Sequence, residues 1–205
     1  DADGDLILPD VLPLGNYRIE EVAAPYGYVL NENYVEVAVT TDTFYEVDPD
    51  TYEAIITVDY EDAPADGELV IEKKGEVLDA YKGGLFADSE EKEFVYKEGS
   101  LAGAKFEIYA AEDIFTADMQ CDEAGNRMKY YSAGDLVATV VTDEDGKAVV
   151  KDLPLGSYRV VEVEAPYGYV LNSEEQVVTF VYVDDKTPVI QECVTFANER
   201  QKVDL

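Results

Sequence analysis

LPLGNYRIEEVAAPYGYVLN at 12–31 and LPLGSYRVVEVEAPYGYVLN at 153–172 decide how this chain is read. The two stretches agree at 16 of 20 positions with an offset of 141. Self-similarity at a fixed spacing marks a chain tiled by repeated units. Upstream of each copy lies an Asp-Gly turn, within DADGDLILPDV in the first and DEDGKAVVKD in the second. The correspondence then stops, because residue 1 falls at the turn. Residues 1–64 are therefore expected to be the C-terminal part of a first unit and 65–205 a nearly complete second unit. The join DAPADGE at 62–68 reads as a short linker punctuated by Pro and Gly.

Outward from the repeats, the chain is strand upon strand. Period-two or β-branched runs occur at Leu69–Lys73, Lys105–Tyr109, Leu136–Thr142, Lys147–Lys151, Tyr158–Val163, Gln176–Val183 and Ile190–Phe196, separated by Gly, Pro, Asn and Asp turns. Short strands so regularly spaced predict an all-β fold, an antiparallel Ig-like sandwich. A helical turn is expected at Ala110–Ile114, and the stretch 76–100 breaks the rhythm as a long loop or inserted hairpin.

Composition narrows the function. With 46 acidic against 15 basic residues the formal charge is -31, and there is no His. Such a charge repels nucleic-acid backbones and anionic lipid heads. Without His, triads and most zinc or iron sites disappear, and no cofactor or metal is expected. A hydrophobic content of 47% suits folded domains and not an acidic tail. No apolar run is long enough for a membrane-crossing helix. Lacking a signal peptide or initiating Met, the sequence reads as an interior piece of something longer. Residues 1–64 carry 16 acids and only Arg18, so this acidity is concentrated in the first unit and is expected to be a solvated face.

Strand parity singles out three side chains. If Val160 faces the core, so do Tyr158 and Glu162, and the first copy sets Tyr17, Ile19 and Glu21 the same way. On the first strand of the second unit Leu69, Ile71 and Lys73 share parity, and near the C-terminus Val194, Phe196 and Asn198 do. An inward carboxyl group is costly unless it is protonated or paired. A bulge would exchange Lys73 for Lys74, which parity disfavours.

At these residues the sequence resembles the Cna B-type domain, also called the SpaA-type prealbumin-like domain, of Gram-positive surface adhesins and pilins. The resemblance rests on an E-box, YRVVEVEAPYGY at 158–169 and YRIEEVAAPYGY at 17–28, and on LAGAKFEIY at 101–109 after the first strand. It covers essentially the whole chain. It implies prealbumin-like sandwich repeats in which a first-strand Lys condenses with a last-strand Asn or Asp, aided by the E-box Glu. Carried over, Lys73 is the nucleophile, Asn198 the electrophile and Glu162 the proton shuttle of an internal isopeptide bond. A dry core disfavours charge on both Lys and Glu, so the pair can sit as amine and acid. The acid would donate to the Asn198 carbonyl and then relay protons to the departing ammonia. The competing reading makes the three residues an ordinary salt bridge or rim group with no covalent step.

In the first unit Glu21 is present and the register of VDYED makes Asp62 the counterpart of Asn198, so that water would leave in place of ammonia. Its Lys would precede residue 1, and completion is expected from upstream residues, from another chain, or not at all. Weaker signals are assigned blander readings. DADGD at 1–5 and DEDG at 143–146 lack EF-hand spacing and read as hairpin turns. Cys121 and Cys193 could pair or remain thiols. LPLGN and LPLGS are strand entries, not sorting signals.

The leading expectation is a structural stalk module of a cell-wall-anchored, extracellular adhesin or pilin, with neighbouring repeats as partners and its signal and anchor outside this segment. The alternative makes the insertion 76–100 or the acidic first unit a docking surface for a host matrix protein or glycan. An enzyme acting on external substrates comes third, since paired carboxylates are common in so acidic a chain.

Overall fold

The computed structural model describes residues 12–42, 46–47, 54–82, 93–118 and 120–202. The chain divides into two compact units, Asp1–Pro25 with Leu30–Ala63, and Tyr26–Val29 with Pro64–Leu205. Among the described residues the secondary structure is all strand and turn.

The larger unit is built on β3 (Asp66–Lys82), in which every second side chain from Gly67 to Gly75 is buried, the period-two signature of a strand with one face on a core. β4 (Glu93–Ser100) follows, then β5 (Lys105–Ala110), β6 (Leu136–Val141), β7 (Lys147–Pro154), β8 (Gly156–Glu164), β9 (Glu175–Phe180) and β10 (Val189–Asn198). One sheet runs β6-β5-β8-β9, all antiparallel. The other runs β7-β3-β10, with β4 pairing the distal half of β3. Leu69, Ile71, Val194 and Phe196 from one sheet meet Phe106, Ile108, Tyr158, Val160 and Phe180 from the other in a single apolar core.

The first and last strands are parallel, with Phe196 opposite Lys73 and Asn198 opposite Gly75. Among the described residues that is the one parallel ladder of the sandwich, the others being antiparallel. Beyond Lys73, β3 continues past the sandwich and pairs with β4 from Lys74↔Ser100 to Lys82↔Glu93, with a bulge between Leu78 and Ala80.

Two expectations are corrected. No helical turn forms at Ala110–Ile114: Ala110 ends β5, its N–H donates to Asp135 O and that of Ala111 to Ser157 O, and Ile114 is buried in a short strand paired with Lys129–Tyr131. The residue before β6 and a residue of β8 thus satisfy the amides that a helix would have used. The supposed linker residues Asp66–Glu68 belong to β3, where a Cβ on Gly67 would lie 2.5 Å from the Phe180 ring. Of the two Asp-rich stretches, DADGD lies outside the described residues. The other, at 143–146, is a turn whose Asp143 Oδ1 accepts the N–H groups of Asp145 and Lys147 at 3.0 and 2.9 Å.

In the smaller unit β1 (Gly15–Glu20) pairs antiparallel with β2 (Tyr34–Val39). The pair Gly15↔Val39 stands where Gly156↔Phe180 stands in the larger unit, so the repeat folds in the same register twice. Their surroundings differ: Val160 is 0% exposed but Ile19 is 37% exposed.

Candidate functional site

Lys73 sits where β3 exchanges one partner for another. The β7 ladder ends at Lys147↔Glu72 and the β4 ladder begins at Lys74↔Ser100. Between them the Lys73 N–H donates to Gly146 O at 2.7 Å, and its carbonyl accepts from Leu101 N at 2.9 Å. The close approach requires glycine at 146, where φ is +71° and a Cβ would fall 2.7 Å from Lys73 O. The backbone under the side chain is thereby held from both sides.

Because the strand period is two, Lys73 continues the stripe of Leu69 and Ile71 into the core, whereas Lys74 points out, its Nζ 3.5 Å from Glu72 Oε2. Phe196 is opposite Lys73, so Asn198, two residues on and on the same face, is its diagonal neighbour within reach of the four-carbon stem. Glu162 comes across the core from β8. All three are buried, Lys73 at 0%, Glu162 at 2% and Asn198 at 4% exposure.

Lys73 Nζ lies 2.5 Å from Asn198 Oδ1 and 3.0 Å from Glu162 Oε1, and Asn198 Nδ2 donates to that same Oε1 at 2.8 Å. The Phe106 and Phe196 rings flank the amine, their centroids 5.7 and 5.8 Å from Nζ. Burial pushes the Lys73 amine below its ordinary value of 10.5, opposed by the hydrogen bond and charge of Glu162. One carboxylate oxygen thus touches both nitrogens. Contact with the Asn198 carbonyl, expected of Glu162, is made by Lys73 instead.

Sequence reasoning gave no role to Asn172, the last residue of the repeated motif. Its backbone N–H donates to Glu162 Oε2 at 3.0 Å, its Nδ2 to Ala197 O at 3.1 Å, and its Oδ1 accepts from Glu174 N at 2.9 Å. The signal was its presence in both copies. In the first unit Asn31 N donates to Glu21 Oε2 at 2.9 Å and Asn31 Nδ2 to Glu61 O at 3.0 Å. Asp62 therefore follows the clamped carbonyl as Asn198 does. The Asp62 carboxyl is raised above its ordinary 3.8 by burial first, and then by the hydrogen bond and negative charge of Glu21. No Lys occurs in residues 1–64.

Among the described residues no group of three or more His, Cys, Asp or Glu could hold a metal, and no helix is long and apolar enough to cross a membrane. Cys121 and Cys193 are exposed thiols.

Comparison with known proteins follows the same lines. The family model of the SpaA prealbumin-like fold domain matches residues 1–53 and 92–192. No curated protein matches the chain. Among solved structures, the Bacillus anthracis TIE protein is similar at 26% identity and a TM-score of 0.51, over 92% of this chain and 26% of that one. The minor pilin GBS52 of Streptococcus agalactiae aligns at 19% identity and a TM-score of 0.40, over 84% and 61% of the two chains. The shaft pilin SpaA of Lactobacillus rhamnosus GG aligns at 15% identity and 0.39, over 93% and 64%. The chain spans about a quarter of the length of the TIE protein. With the family model matching well over half of it, this chain belongs to the SpaA family of prealbumin-like fold domains.

Proposed function

We propose that the chain is a structural stalk segment of a Gram-positive surface adhesin or pilin, made of repeats over 1–64 and 65–205, and that the second repeat crosslinks itself through Lys73 and Asn198. The observation that carries this reading is the dry contact of an amine, a carboxamide and a carboxyl group around Glu162 Oε1. The Lys73 Nζ lone pair attacks Asn198 Cγ, forming Nζ–Cγ as Cγ–Nδ2 breaks. Glu162 Oε1 takes one proton from Nζ and delivers it to Nδ2, so that ammonia leaves and a neutral amide remains. Folding supplies the proximity, and the turnover is single and self-directed.

The bond would join the two parallel strands nearest the ends of the repeat, so tension along the chain passes through a covalent link. In the first repeat Glu21 and Asp62 supply the carboxyl half of the same chemistry, with water as the leaving group and the amine provided by residues other than 12–64. Neighbouring repeats are the partners, and the setting is the cell wall exterior. A docking role is favoured by one observation, the exposed Tyr81–Phe94 pair on the β3–β4 hairpin, with ring centroids 5.0 Å apart. Saturable binding to a matrix protein or glycan, lost on deleting 76–100, would establish it.

Intact mass tests the crosslink. The purified chain should weigh one ammonia less than its sequence requires, and Lys73→Ala should restore the full value. Lys74→Ala should leave the deficit unchanged. A wild-type mass equal to the sequence value would sink the proposal.

A further inference from the structure

We infer that Asn172 is a positioning residue for the bond-forming step, an inference that rests on the crosslinking role proposed for Lys73, Glu162 and Asn198. Its main-chain N–H holds Glu162 Oε2 at 3.0 Å, leaving Oε1 to face both nitrogens. Its carboxamide Nδ2 holds Ala197 O at 3.1 Å, one residue before the electrophile. One residue therefore ties the proton carrier on one sheet to the acyl group on the other. A carboxyl group with two oxygens can turn either toward the reacting atoms. The N–H on Oε2 fixes which one is used.

The same three bonds are made in the first unit, where Asn31 donates to Glu21 Oε2 and Glu61 O and accepts from Asn33 N at 3.1 Å. There the β1 face is more exposed, as Ile19 shows, yet the clamp is intact. The repetition of all three bonds ties the device to the Glu and to the residue before its acyl partner in both copies.

The two side-chain functions of Asn172 can be separated. Asn172→Asp keeps the oxygen that accepts from Glu174 N and so keeps the turn, but loses the donor to Ala197 O. Asn172→Ala loses both. Each variant and the wild type are made by cell-free synthesis, and the loss of ammonia is followed by intact mass across a range of pH, with the fold checked by circular dichroism. Both variants should fold and form the bond at least about tenfold more slowly, as expected when reacting groups are loosened by a fraction of an ångström. In Asn172→Ala the acid limb of the pH–rate profile should also move, because losing the bond from Glu174 N frees the turn that presents the main-chain N–H to Glu162 Oε2. A purely structural Asn172 predicts wild-type rate and profile for Asn172→Asp, and that result would overturn the inference while leaving the crosslink standing. Loss of fold in both variants would assign Asn172 to the architecture alone and overturn it as well. If the wild type never loses ammonia, the crosslinking role itself fails.

Discussion

Replacing Lys73 by Met removes the nucleophile but keeps an unbranched side chain of similar length between the Phe106 and Phe196 rings. The magnitude follows from the loop that the bond would close. Lys73 and Asn198 are 125 residues apart. If the crosslink restricts the unfolded chain as a disulfide closing that loop does, it contributes about 5 kcal/mol. For a unit of this size each kcal/mol moves the midpoint of thermal unfolding by about 3–4 °C, so Lys73→Met should lower it by about 15–20 °C. The substitution also leaves Glu162 Oε1 without its contact to Lys73 Nζ, but Asn198 Nδ2 and Asn172 N still donate to the two carboxyl oxygens. The perturbation is therefore dominated by the missing bond. Differential scanning calorimetry of the full chain, with intact mass on the same samples, makes the measurement. A variant at full sequence mass that melts within about 3 °C of a wild type lacking one ammonia would refute the mechanical account, since the bond would then form without restraining the unfolded state.

Other consequences are local. Tyr158 donates to Pro154 O at 2.6 Å beneath a fully buried ring, and Tyr158→Phe should cost about 1–2 kcal/mol in chemical denaturation with no change in intact mass. Gly146→Ala forces a Cβ against Lys73 O and Leu101 N at a positive φ and should cost at least about 2 kcal/mol, with slower ammonia loss than the wild type in a synthesis time course. The raised Asp62 carboxyl makes the first unit pH-sensitive. A group whose folded value lies above its unfolded one stabilises fully below the unfolded value of about 3.8 and loses that contribution as pH rises through the folded value. Hydrogen exchange of the β1 and β2 amides should therefore be slower near pH 4 than near pH 7 after correction for intrinsic rates, and Asp62→Asn should flatten the difference.

What could be read from the sequence was whatever depends on a period of two or on the repeat. Parity along Leu69–Lys73 turns Lys73 inward because a strand alternates faces without drift, and the 141-residue offset carries Gly15↔Val39 onto Gly156↔Phe180 without a slip. What could not be read depends on partners distant in sequence. Nothing in QECVTFAN states that its strand lies parallel to β3, or that Asn198 falls beside Gly75 and so diagonal to Lys73. The same limit explains the misplaced helical turn. Ala110–Ile114 has local helix formers, but its amides are taken by Asp135 and Ser157. Glu162 was legible as an inward carboxyl group, yet which oxygen faces the amine is set by Asn172, ten residues on, through a main-chain donor that has no side-chain signature.

The claim at the centre of this account is a covalent bond between Lys73 and Asn198. Proteolytic digestion followed by tandem mass spectrometry addresses it at the residues themselves. A branched peptide is expected that joins the fragment containing Lys73 to the fragment containing Asn198, lighter than their sum by one ammonia and absent from Glu162→Ala. Recovery of both fragments only as separate linear peptides of full mass would contradict it.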